Sequence, residues 1–182
     1  MDLSWIVGAM VIAVLIAWYV SYGAARLDRL HTRVEGALSV LDAQLVRRAE
    51  ATLELANCGA LDAASALILA GAATDSLEAD TTDQRSREAI ESDLTQALEL
   101  ALGEEALRDL QRNEVVGTPV LQRVAAANQR VQLARRFLND AVTDVRRVRR
   151  KPGVRLLRLA GHAELPQTFE IDDELPMLVR GT

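Results

Sequence analysis

The chain has 182 residues, room for one domain and an anchor. It is 49% hydrophobic but only 3% aromatic, so its bulk comes from Ala, Leu and Val, the residues of helices packed closely along their length, not from rings filling a globular core. The formal net charge of −5 names no partner, and the lone Cys58 excludes an intramolecular disulfide and a cysteine-cluster metal site.

Residues Leu3 to Tyr22 carry no charge. About 20 apolar residues rising 1.5 Å each span roughly 30 Å, the thickness of a bilayer core. Trp5 sits at one end, and Trp18, Tyr19 and Tyr22 at the other, the placement of an interfacial aromatic belt. A cleaved signal peptide needs a basic start and a shorter apolar core; Met1-Asp2 supplies no base. A single transmembrane helix over 1–25 is therefore expected. Arg26, Arg29 and Arg33 follow the span and no base precedes it. The expected location is a cell membrane, with the N-terminus outside and the C-terminal domain cytoplasmic. Ala9, Ala13, Ala17 and Ser21 form a stripe of small residues at four-residue steps. Such a stripe lets two helices approach in lipid, although alanine is common enough in spans to produce it by composition alone.

Beyond the anchor every apolar run has helical spacing and no strand pattern stands out. The expected fold is all-α, with an elongated antiparallel up-and-down bundle of three to four helices over 26–158 and an acidic, proline-containing tail over 159–182. The first helix continues out of the membrane, with Leu27, Leu30, Val34, Leu38, Leu41, Leu45 and Ala49 on one face. Ala60 to Ala73 reads as its buried, alanine-rich end, with a bend at Gly59. Thr81 and Gln84 fit a capping box for a second helix, whose inner face is Ile90, Leu94, Ala97, Leu98 and Ala101, with a kink at Gly103. Thr118 and Pro119 suit the start of a third helix. Its seam runs Val120, Val124, Ala127, Val131, Ala134, Leu138, Ala141, Val145, Val148, a heptad pattern of coiled-coil type. Leu138 should be core, while Gln132, off the seam, should be dispensable. The remainder reads as a short apolar segment, Val154 to Ala160, and a loose tail.

Charge is segregated. Residues 74–114 hold 12 acids and 4 bases, and residues 115–158 hold 2 acids and 11 bases. The sharpest local feature is the run Arg146, Arg147, Arg149, Arg150 and Lys151, continued by Arg155 and Arg158. It can meet an anionic partner, lipid headgroups or nucleic acid, or pair with the acidic second helix or tail. No aromatic is interleaved to stack on bases, so no nucleic acid is expected. If the first helix leaves the membrane and the second returns, the end of the third points away from the bilayer. His31 and His162 are the only histidines and have no ligand partners at metal spacing. No nucleophile–base set, paired catalytic carboxylates or phosphate loop can be argued, so no enzyme activity, cofactor, metal or small-molecule substrate is expected.

Three stretches carry a family resemblance. The first, Arg33 to Arg48, contains Asp42, Gln44-Leu45 and the pair Arg47-Arg48. The second is Ala134-Arg135-Arg136-Phe137-Leu138-Asn139-Asp140-Ala141-Val142. The third is the spacing of Pro152, Gly161 and Phe169. As a set they resemble the LemA family, single-pass bacterial proteins with a helical-bundle domain. Leu138 stands where that family has a Tyr, and no proline follows the Arg pair. The resemblance implies a fold and a membrane location, not an activity. Its polar residues Asp42, Arg48, Arg135 and Asn139 are expected either to form a hydrogen-bonded network between the first and third helices or to be separate solvated side chains. The resulting expectation is a scaffold or adaptor that self-associates or recruits a protein, or an accessory subunit of a membrane enzyme or transporter complex.

Overall fold

The computed structural model describes residues 3–80, 83–156 and 165–175. Among the described residues all regular secondary structure is helical and there is no strand. In order the helices are α1 (Leu3–Ala56), α2 (Ala63–Glu78), α3 (Gln84–Ala101), α4 (Glu104–Arg112), α5 (Gly117–Arg149) and α6 (Pro152–Leu156). α1 is long and apolar enough at its N-terminal end to cross a membrane, by length and composition. The apolar side chains of that stretch, Trp5 through Tyr22, stand mostly exposed, and Trp18 stacks on Tyr22 with ring centroids 6.0 Å apart.

The chain forms two compact units. One comprises Met1–Ala37 with Leu138–Thr168, the other Leu38–Phe137 with Phe169–Thr182. In the first unit Leu27, Val148 and Val154 form a buried cluster with Leu30 against it, and Arg33 meets Asp144 at 3.4 Å.

The second unit holds the larger core. Leu55, Leu69, Leu98, Leu107, Leu110, Val120, Leu121, Val124 and Leu175 are packed together, and Ala49, Ala73 and Leu94 form a smaller cluster. Ala60 to Ala73 is not the end of the first helix. α1 stops at Ala56, and Gly59 has φ 74°, the left-handed conformation that glycine adopts without a Cβ clash. Asp62 then caps α2, accepting from the amides of Ala64 and Ser65, both at 3.0 Å. Leu69 joins Leu55, and Ala73 joins Ala49, so α2 folds back along α1.

Other boundaries shift for equally local reasons. Thr81 of the expected capping box lies outside the described residues. The N-cap of α3 is Asp83, whose carboxylate accepts from the Arg85 amide. Gly103 does not kink one helix but separates α3 from α4. α5 begins at Gly117, ahead of Thr118 and Pro119, with Asn113 accepting from the Val116 amide to set the preceding turn. A Cβ at Gly117 would strike the Leu110 carbonyl, so this close approach requires glycine. All nine seam residues of α5 are buried, whereas Leu38 of the α1 pattern is 42% exposed.

The C-terminal segment is not loose over its described second half. From Phe169 to Leu175 the backbone is irregular, and burial alternates: Phe169, Ile171, Asp173 and Leu175 are buried, while Glu170, Asp172 and Glu174 are exposed. That period of two is the signature of extended chain laid on a surface.

Candidate functional site

The second unit is built around a buried ionic cluster. Arg48, one turn inside the apolar face of α1, is completely buried, as is Glu91 of α3. The Arg48 guanidinium donates through Nη2 to the Glu91 carboxylate at 2.7 Å and to the Glu91 carbonyl at 2.8 Å. Through Nη1 it donates to Thr95 Oγ1 at 3.1 Å and to Asn128 Oδ1 of α5 at 3.3 Å. The other oxygen of Glu91 accepts from the Ser76 hydroxyl of α2 at 2.8 Å and lies 3.1 Å from Arg87 Nε. Arg87 turns Nη1 onto the carbonyls of Ser76 and Ala79. One carboxylate thus faces two guanidiniums in a dry core, where unpaired charge is costly.

The extended segment closes this cluster. Thr95 Oγ1 lies 2.7 Å from the Asp172 carbonyl. Asn128 and Gln132 both donate to the Asp173 carbonyl, at 2.9 and 2.6 Å. Arg135 grips the Asp173 carboxylate with two nitrogens, at 2.7 and 3.2 Å, the two-point geometry that suits a planar fork on a carboxylate. Ser92 and Glu88 of α3 accept from the Asp172 and Glu170 amides. Gln132 is therefore no idle side chain: it is half-buried and holds the strap.

Of the four motif residues, Arg48 and Arg135 both belong to this cluster, joined through Asn128 and Asp173. Asn139 lies in the first unit. Asp42 is half-buried in the second. Burial pushes its carboxyl above the usual carboxylate range; Arg87 pulls it down and Glu91 pushes it up, and burial wins. A raised pKa means that the folded chain holds a proton the unfolded chain has released. The contribution of Asp42 to stability is therefore complete below the ordinary carboxylate value and is lost as pH rises through the raised one. Asp42→Asn should melt higher than the parent at pH 7, and the gap should close as the pH falls towards about 4. A gap constant across that range would remove burial of Asp42 as its cause.

The basic run belongs to the first unit. Arg146, Arg149 and Arg150 line an open cleft with Leu165 and Gln167, and Arg146 donates to the Pro166 carbonyl at 3.0 Å. Arg147, Arg150 and Lys151 are exposed, and their side chains make no ion pair with a described residue. Arg158 lies outside the described residues, as does the side chain of Arg155. Ala9, Ala13, Ala17 and Ser21 stand exposed along α1, and Ala9 shares a shallow groove with Ser4, Trp5, Gly8 and Ile12.

Reading by motif misses Ser76, Arg87, Glu91, Thr95, Asn128 and Asp173. Two signals were present. Glu91 and Asn128 sit at positions that the apolar periodicity of α3 and α5 turns inward. Phe169, Ile171 and Leu175 alternate with polar residues. Among the described residues no group of three or more His, Cys, Asp and Glu is placed to hold a metal ion. No family model matches the chain, and neither does any curated protein or solved structure.

Proposed function

We propose that this chain is a single-pass membrane protein whose cytoplasmic helical domain, LemA-like in kind, works as an adaptor that recruits a protein, and not as an enzyme. The fold in this reading is an antiparallel up-and-down bundle of α1, α2, α3 and α5. Paired residues support it: Arg48 with Asn128 and Glu54 with Arg123 advance on α1 while they retreat on α5, and Leu27 and Arg33 pair likewise with Val148 and Asp144 in the first unit. The buried charges make hydrogen bonds to each other, to the side chains of Ser76, Thr95 and Asn128 and to backbone carbonyls, which suits holding helices in place.

The observation that carries the reading is the outer face of α2. Ala64, Leu67, Ile68 and Gly71, at helical spacing, are all exposed, Leu67 at 75% and Ile68 at 50%. A narrow apolar stripe with small residues at its ends fits an apolar helix of another protein. Purification of the tagged full chain in mild detergent tests this. A stoichiometric partner of different sequence is expected, and Leu67→Glu should release it. Recovery of the single polypeptide as an oligomer, disrupted by the same change, would make the stripe a self-association surface. Release by neither route ends the adaptor reading. Orientation has its own check: a C-terminal reporter that is active only outside the cytoplasm should stay silent, the side that the flanking Arg26, Arg29 and Arg33 favour for the domain being the cytoplasmic one.

A further inference from the structure

We infer that the basic end of α5 is a binding site for the phosphate of an anionic phospholipid, in the same bilayer leaflet from which α1 emerges. The inference rests on the reading of α1 as a membrane span. It turns on where the first unit places residues 146–154. Val148 and Val154 are buried against Leu27 and Leu30 of α1. Gly153 packs so tightly on Tyr19 that an added Cβ would collide with the phenol hydroxyl. Tyr19 and the stacked Trp18–Tyr22 pair form the aromatic end of the apolar stretch, and such rings sit at headgroup level. Leu27 lies eight residues beyond Tyr19, about 12 Å along a helix. The end of α5 is thus held at the interface, not directed away from the membrane as a three-helix count requires.

Charge at this level is basic. Arg147, Arg150 and Lys151 are exposed without an ion pair to a described residue. Arg146 donates to a neutral carbonyl and makes no ion pair with a described residue. Arg26 and Arg29 of α1 are exposed nearby in sequence to the span. The carbonyl end of a helix adds negative potential that holds these side chains near its last turn. The cleft between Arg146, Arg149 and Arg150 has Leu165 in its wall, so it offers both a phosphate with donors on several sides and contact for an acyl or glycerol portion. Gln167 adds an uncharged polar group to the lining.

The test uses the full chain in mild detergent, with bound lipid counted by native mass spectrometry after addition of phosphatidylglycerol, phosphatidylcholine or inorganic phosphate. Phosphatidylglycerol should bind about tenfold or more tightly than phosphatidylcholine, and the preference should shrink in about 0.5 M salt. The triple variant Arg147→Gln, Arg150→Gln, Lys151→Gln changes only exposed side chains and should keep the parental circular dichroism while losing the preference. Arg108→Gln, Arg112→Gln, Arg130→Gln removes the same charge elsewhere and should retain it. A triple variant that keeps the preference overturns the site. Inorganic phosphate that fills it and excludes phosphatidylglycerol overturns the lipid as its ligand. An alkaline carbonate wash of native membranes separates the two readings. Protein released by the wash defeats the membrane span and this site together; protein retained but indifferent to lipid charge defeats the site alone.

Discussion

Arg48→Met should destabilise the protein by about 3–5 kcal/mol, the usual cost of removing one partner from a buried ion pair. The Met side chain fills comparable space, so the loss is electrostatic: Glu91, completely buried, is left with Arg87 at 3.1 Å and the Ser76 hydroxyl, and Thr95 and Asn128 lose a donor. The remaining Glu91–Arg87 pair is neutral, so the effect of a change at Glu91 should depend on whether Arg48 is present. Glu91→Gln alone should be destabilising because it strands two guanidiniums, and it should cost less in the Arg48→Met background, where only Arg87 is left without its carboxylate. That shortfall from additivity separates a charge effect from two independent packing effects, which would add. Thermal melting of the full chain in detergent, followed by far-UV circular dichroism, reads it. Fluorescence cannot, because both Trp and both Tyr lie in the apolar stretch of α1. Additive losses would show that Arg48 and Glu91 are not coupled.

Phe169→Ala should cost about 3–5 kcal/mol, as large-to-small changes of a buried ring do. Phe169 is 3% exposed, and it anchors the near end of the strap whose Asp173 accepts from Asn128, Gln132 and Arg135. The same substitution in an unattached tail would change stability by no more than about 0.5 kcal/mol. Glu174→Ala, at an exposed position of the same segment, supplies the comparison. A melting temperature unchanged by Phe169→Ala would mean that the segment does not hold the second unit together.

The sequence by itself determined the helical class, the apolar stretch of α1 and the buried face of α5, all nine of whose seam residues are buried. These features are local. A period near 3.6 specifies a helix and its inward face, and a run of about 20 uncharged residues specifies a possible span, without reference to any distant residue. What only the tertiary structure decided was which distant residues meet. The partners of Arg48 lie 43, 47 and 80 residues away, and the inward register of Glu91 on its helix does not say which distant base will meet it. The count of chain reversals also depended on a single turn. Reading Ala60 to Ala73 as the end of the first helix omits the turn at Gly59, where the backbone takes φ 74°. An alanine-rich segment carries too little amphipathic contrast to reveal whether it extends one helix or begins another, so the choice fell to the packing of Leu69 and Ala73 against α1. The strap was hidden for a different reason: alternation over seven residues is a weak signal beside long helical repeats, and it acquires meaning only where α5 presents Asn128, Gln132 and Arg135, and α3 presents Glu88 and Ser92, to receive it.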